Sequence, residues 1–94
     1  MPNELESVII NPTEVSSGGT VTVSVKYSAV SNGSLEISCS GPFSVEPTVV
    51  PLSTAASSTS FELKVTRNST TAPHECILRF NFGGDDRNRI VEVH

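Results

Sequence analysis

The sequence has no tryptophan and few aromatic residues of any kind. Aromatic residues make up 5% of the 94 residues, and the four phenylalanines fall mostly where an apolar residue is expected to face a core. Modules that bind carbohydrate commonly stack sugar rings on exposed aromatic side chains. The composition therefore argues against a carbohydrate-binding module.

Basic residues and long apolar runs are also scarce. Six lysines and arginines stand against ten aspartates and glutamates, which gives a formal net charge of −4. Without a basic cluster we expect no nucleic-acid partner and no binding to anionic membranes. No run approaches the roughly 20 apolar residues of a membrane span, so we expect no direct membrane insertion.

Motifs for catalysis and for bound cofactors are missing as well. There is no G-x-S-x-G motif and no C-x-x-C motif, and the two histidines are expected at strand ends, away from any serine. Residues 83–86, Gly-Gly-Asp-Asp, offer two carboxylates to Ca²⁺, which are too few ligands from a single turn. We therefore expect that the chain is not an enzyme and that it carries no cofactor or metal.

Short segments of alternating apolar and polar residues fill the chain instead. The clearest is TVTVSVKYS at 20–28, which predicts a central antiparallel strand with one face on a core. Prolines 47 and 51 indicate that 43–52 forms two short edge pieces. Further strands are predicted at 5–10, 35–40, 58–66, 74–82 and 89–94, and turns at 16–19, 29–34, 53–57 and 83–88.

Seven strand segments without helical periodicity predict an all-β sandwich. We expect residues 1–94 to form one domain that is a piece of a larger protein, because MPNELES is acidic and does not resemble a signal peptide. The predicted core consists of the inward apolar residues of these strands: Val8, Ile10, Val21, Val23, Val25, Leu35, Ile37, Phe43, Phe61, Leu63, Val65, Leu78, Phe80, Val91 and Val93.

Two stretches resemble immunoglobulin-like modules of bacterial extracellular and cell-surface multidomain proteins. VIINPTEVSSGGTVTVSVKYS resembles the opening of such modules: a short strand, an Asn-Pro turn, a glycine turn and an alternating valine strand. VVPLSTAASSTSFELKVT resembles their middle. The resemblance implies an immunoglobulin-like antiparallel β-sandwich of about seven strands and no catalytic residues. Cys39 and Cys76 depart from the family pattern, and residues 67–94 match it least.

In the strand order that this resemblance implies, Cys39 ends one strand and Cys76 begins its antiparallel neighbour. We expect a structural disulfide between them, which would stabilise the chain by about 3–4 kcal/mol and indicate an oxidising compartment. Two alternatives remain. The cysteines are two buried free thiols, or they form a metal or redox cluster with His74, with His94 on the opposite face.

The expected function is that of a non-catalytic spacer module in a secreted or cell-surface protein, with the periplasm as an alternative location. Such a module is a monomer whose partners are the neighbouring domains of the same chain. The alternative is an adhesin-like recognition module that binds a protein partner through end loops or an edge strand at 5–10 or 43–52. The polar loop contacts in that case are Asn32, Asp85, Asp86 and Arg87. The third hypothesis is a small metal or redox protein.

Overall fold

Nine β-strands form two sheets in the computed structural model, which describes residues 3–94. The strands are β1 (Glu4–Asn11), β2 (Glu14–Val15), β3 (Gly19–Ser28), β4 (Gly33–Cys39), β5 (Phe43–Glu46), β6 (Val49–Leu52), β7 (Ser58–Arg67), β8 (Glu75–Phe82) and β9 (Asp85–Val93). The first sheet has the order β1-β3-β7-β5 and the second the order β2-β9-β8-β4-β6. The all-β, two-sheet prediction is confirmed. The second sheet is mixed rather than purely antiparallel, because β2 pairs with β9 in parallel.

Two segments change sheets at a proline, and for this reason the chain has nine strands rather than the predicted seven. Residues 4–15 form β1 in the first sheet and, after Pro12, β2 in the second. Residues 43–52 form β5 in the first sheet and, after Pro47, β6 in the second, so the prediction of two edge pieces is confirmed. Proline has no N–H to donate to a strand ladder and suits a point where the chain leaves a sheet.

The hairpin between β8 and β9 is tighter than predicted. Gly83 and Gly84, with φ of 61° and 86°, are the only residues between the two strands. A two-residue hairpin turn favours glycine because both positions adopt positive φ. The prediction of a turn over 83–88 is therefore wrong. β9 begins at Asp85, and the three residues predicted there as loop contacts belong to a strand.

The core forms between the alternating faces of the two sheets. Every predicted core residue is buried except Phe61, which is partly buried and packs against the others. On the central strand β3 the burial alternates strictly from Val21 to Tyr27, as its sequence predicts. The core also contains Leu5, Tyr27, Leu52, Cys76 and Phe82.

The described chain begins and ends at opposite ends of an elongated molecule measuring 43 × 20 × 17 Å. β1 and β9 run in the same direction, since the Leu5 N–H donates to Asp85 where both strands begin, and Val15 is level with Val93 where β9 ends. We call these the Asn3 end and the His94 end. The Asn3 end gathers the connections 29–32 and 53–57 and the 83–84 turn, and the His94 end gathers 12–18, 40–42 and 68–74.

Candidate functional site

Cys39 and Cys76 are neighbours on adjacent antiparallel strands, as predicted, but both are free thiols. Cys39 lies opposite Leu78, so Cys76 is its diagonal neighbour on the same face of the sheet. The two thiol groups are close enough to hydrogen-bond to each other, and both remain reduced. The predicted disulfide is not formed in this structure, although the predicted strand pairing is confirmed.

Both thiols are protonated at neutral pH, and burial raises the pKa of each further above its ordinary value. The Cys39 Sγ donates to the Phe43 carbonyl at 3.1 Å, and burial raises the pKa of the Cys39 thiol. Cys76 is fully buried, and desolvation together with the neighbouring Cys39 raises its pKa to about 11. Thiolates rather than thiols attack electrophiles and bind metals. The arrangement therefore agrees with the alternative of two free thiols, of which Cys76 is fully buried and Cys39 partly buried.

His74 does not join the two cysteines in a metal cluster. Its Nδ1 lies 3.2 Å from the Val93 carbonyl oxygen, and its ring packs against His94 with 4.6 Å between the ring centroids. His94 lies, as predicted, on the outer face of β9 with Glu92, opposite the buried Cys76. The contact between the two histidine rings was not expected, and it arises because β9 starts earlier than predicted and His94 lies beside the beginning of β8.

A different group of potential metal ligands lies at the His94 end. Within residues 3–94, Glu14, Glu92 and His94 are the histidine, cysteine or acidic side chains that come close enough to share an ion, with ligand atoms within 4.8 Å of one another. The parallel register places Glu14 opposite Glu92, and His94 Nε2 lies 3.1 Å from Glu14 Oε1. All three side chains are exposed. Sequence reasoning missed this group, since two-residue β2 carries no periodic signal.

Asn32, predicted as a polar loop contact, holds two loops together at the Asn3 end. Its Oδ1 accepts a hydrogen bond from the Thr54 N–H at 2.9 Å. Asn3 has a similar part, because its Oδ1 accepts from the N–H groups of Val30 and Ser31. These amide side chains therefore link the connecting segments at the Asn3 end to one another.

Asp85 and Arg87 bind the edge of β1 rather than projecting from a loop. Asp85 accepts from the Leu5 N–H at 2.9 Å and pairs with Arg87, whose Nη2 donates to the Leu5 carbonyl at 2.9 Å. The Leu5 N–H, with support from Arg87, holds the pKa of Asp85 below its usual value. Farther along β9, Arg89 Nε donates to the Val8 carbonyl at 2.8 Å. We call these contacts the β1–β9 junction.

Asp86 lies on the outer face of the second sheet and is bound by its neighbours there. Arg79 donates to both of its carboxylate oxygens, and Asn81 donates to Oδ1. The hydrogen bonds from Arg79 and then Asn81 lower the pKa of Asp86. Each of the four predicted loop contacts is therefore engaged within the chain itself.

No known protein family and no curated protein matches this chain. Within residues 3–94 there is no helix with the length and apolar character that crossing a membrane requires. The function is accordingly inferred from the geometry of the chain.

Proposed function

We propose that this chain is a non-catalytic spacer module of a secreted or cell-surface protein, with the periplasm as the alternative location. The observation that carries the proposal is the position of Asn3 and His94 at opposite ends of the 43 Å long axis. Neighbouring domains attached at these ends are held apart by the length of the module. Such a module works as a monomer, and its partners are the domains on either side.

The strand order supports an immunoglobulin-like sandwich as the scaffold of this spacer. The first sheet, β1-β3-β7-β5, follows the A-B-E-D order of that fold, and β9-β8-β4 follows its G-F-C order. The resemblance of 8–28 and 49–66 to modules of bacterial surface proteins points in the same direction. Modules of this type occur in multidomain chains, where a rigid module with its two chain termini at opposite ends keeps the neighbouring domains apart.

The internal engagement of the predicted contact residues also favours a spacer over a recognition module. Asn32, Asp85, Asp86 and Arg87 each hydrogen-bond to another part of the same chain. A partner that used these groups would have to break contacts that hold the fold. The same observation weakens the alternative of binding through the loops at the Asn3 end.

The test is a replacement experiment in the protein that carries this chain. Residues 3–94 are deleted, or replaced by an unrelated sandwich domain of equal end-to-end length, or by a domain whose chain ends lie side by side. We expect the length-matched replacement to restore the activity or display of the parent protein, and the side-by-side replacement to fail. If the original chain restores activity or display and neither replacement domain does, the spacer proposal is refuted.

Recognition through an edge strand is the second candidate, and the open edges of β5 and β6 favour it. Within residues 3–94 each of these strands pairs with one neighbour only, β7 and β4 respectively. Edge strands accept a partner strand unless charge or proline blocks them, and Pro51 removes one backbone donor from β6. If a screen finds a protein that binds below micromolar concentration, Val49→Lys on β6 is expected to weaken binding, while Val30→Lys, equally exposed in a loop, is not.

A further inference from the structure

Three glutamates form a row across the outer face of the second sheet at the His94 end. The register places Glu92 between Glu14 on β2 and Glu75 on β8. The next pair along the β8–β9 ladder, His74 and Val93, is hydrogen-bonded, since the Val93 N–H donates to the His74 carbonyl at 2.8 Å. Hydrogen-bonded and open pairs alternate in an antiparallel ladder, so Glu75 and Glu92 form an open pair with Cβ atoms about 4.5–5.5 Å apart. Like charges placed directly opposite each other destabilise a sheet.

His94 supplies an imidazole at the edge of this glutamate row. It follows Glu92 by two residues and therefore lies on the same face of β9. Its Nε2 lies 3.1 Å from Glu14 Oε1, which places the imidazole directly beside the first carboxylate of the row. Two carboxylates, those of Glu14 and Glu92, thus lie close to the His94 imidazole, and Glu75 is the ladder neighbour of Glu92. A cation bound here would relieve repulsion between the carboxylates.

We propose that Glu14, Glu92 and His94 bind a divalent transition-metal ion of the Zn²⁺ type, a site that goes beyond the proposed spacer function. Zinc bonds of about 2.0–2.2 Å hold tetrahedral ligand atoms about 3.3 Å apart. The three ligand atoms already lie within 4.8 Å of one another. Rotation of exposed side chains between ordinary rotamers is enough to close this gap. The remaining coordination position is open to water.

The donor set selects the class of metal. One imidazole with two carboxylates suits zinc and its transition-metal neighbours, whereas calcium and magnesium prefer sites made of oxygen alone. His74 has a positioning role, because its ring packs on that of His94 at 4.6 Å between centroids. Groups behind a ligand that limit its rotation raise metal affinity.

The experiment is a Zn²⁺ titration of the reduced chain, free of any polyhistidine tag, followed by calorimetry. We expect one ion per chain and a melting temperature that rises by several degrees at saturation, because an ion that binds only the folded state stabilises it. His94→Ala and Glu92→Gln are each expected to weaken binding by about tenfold or more. Glu62→Gln is the matched control, since Glu62 is exposed on the first sheet. This variant should bind Zn²⁺ with the same affinity as the parent chain.

Two further measurements assign the ion to this site. Co²⁺ is expected to broaden the amide resonances of residues 13–15, 75 and 92–94 before those at the Asn3 end. The double variant Cys39→Ser with Cys76→Ser should bind Zn²⁺ as the parent chain does. The proposal is overturned if no saturable binding occurs at millimolar Zn²⁺, if binding disappears with the cysteines, or if His94→Ala and Glu92→Gln leave the affinity unchanged. Equal affinity for Ca²⁺ would overturn the role of the imidazole.

Discussion

Cys76 couples an ionisation to folding at the scale of one residue. In the folded chain its pKa is about 11, against an ordinary value of 9.0, because the thiol is buried. Between these two pH values the folded state keeps a proton that the unfolded state releases. The stabilising contribution is therefore complete below pH 9 and is lost as the pH rises towards 11.

We predict that the free energy of unfolding falls by about 2 kcal/mol between pH 8.5 and pH 11 through this group alone, since one pKa unit corresponds to about 1.4 kcal/mol. Urea unfolding at a series of pH values measures it. Cys76→Ala is the comparison, because its stability should fall by correspondingly less over the same range. Parallel curves for the two proteins would contradict the prediction.

Most of the core could be predicted residue by residue, because alternation on a strand fixes which side chains face inward. Val21, Val23 and Val25 are buried as their spacing indicates. Phe61 obeys the same alternation but is only partly buried. It lies opposite Val23 in the ladder, and β7 becomes fully covered only from Leu63 onward. Alternation gives the face of a residue, not how far along the strand the opposite sheet extends.

At the scale of the element, the two glycines of the β8–β9 hairpin are not equivalent. Both have positive φ, so an alanine at either position costs about 1–2 kcal/mol in backbone strain. A Cβ at Gly83 would also come within 2.8 Å of the Asn3 backbone oxygen, while a Cβ at Gly84 meets nothing within 4 Å. We predict that Gly83→Ala is less stable than Gly84→Ala by roughly 1–3 kcal/mol in chemical denaturation. Equal stabilities would mean that Asn3 moves freely out of the way.

The β1–β9 junction protects an edge strand in the same part of the molecule. Arg87 and Arg89 donate to the Leu5 and Val8 carbonyls at the free edge of β1. Without them these carbonyls become available to another chain, beside the exposed side chain of Ile9.

We predict that the double variant Arg87→Ala with Arg89→Ala self-associates at concentrations where the parent chain is monomeric. Sedimentation velocity over a concentration series measures this. Arg79→Ala is the control, because the Arg79 guanidinium binds Asp86 on the outer face of the second sheet. If the control associates equally, loss of positive charge rather than an uncovered edge is the cause.

The elements that sequence predicted well are those long enough to show a period. β3 has ten residues, and its bounds were predicted to within one residue. β2 has two residues and no period, so it was missed. The start of β9 was also missed, because Asp85 to Asn88 are polar and indicate a turn, whereas in the fold they alternate between the β1 edge and solvent. The Glu14–Glu92–His94 group depends on both elements and therefore had no local signal.

At the scale of the whole molecule, the radius of gyration tests the proposal that the chain is an elongated monomer. The Cα radius of gyration is 13.3 Å, slightly above the value of about 12.4 Å for a compact chain of this length. We predict that small-angle X-ray scattering gives a radius of gyration close to 13.3 Å plus the hydration layer, independent of concentration. A radius that grows on concentrating the sample would contradict a monomer.

The parallel pairing of β2 with β9 has a mechanical consequence. Tension applied between Asn3 and His94 pulls the β1–β2 segment one way and β9 the other, along their common axis. The hydrogen bonds from Glu92 N to Thr13 O and from His94 N to Val15 O then lie across the line of force and share the load. Bonds loaded in this way resist shear together, whereas a hairpin pulled from its open end unzips one bond at a time. When the module is stretched between Asn3 and His94, its shortest strand, β2, therefore holds the two pulled segments together.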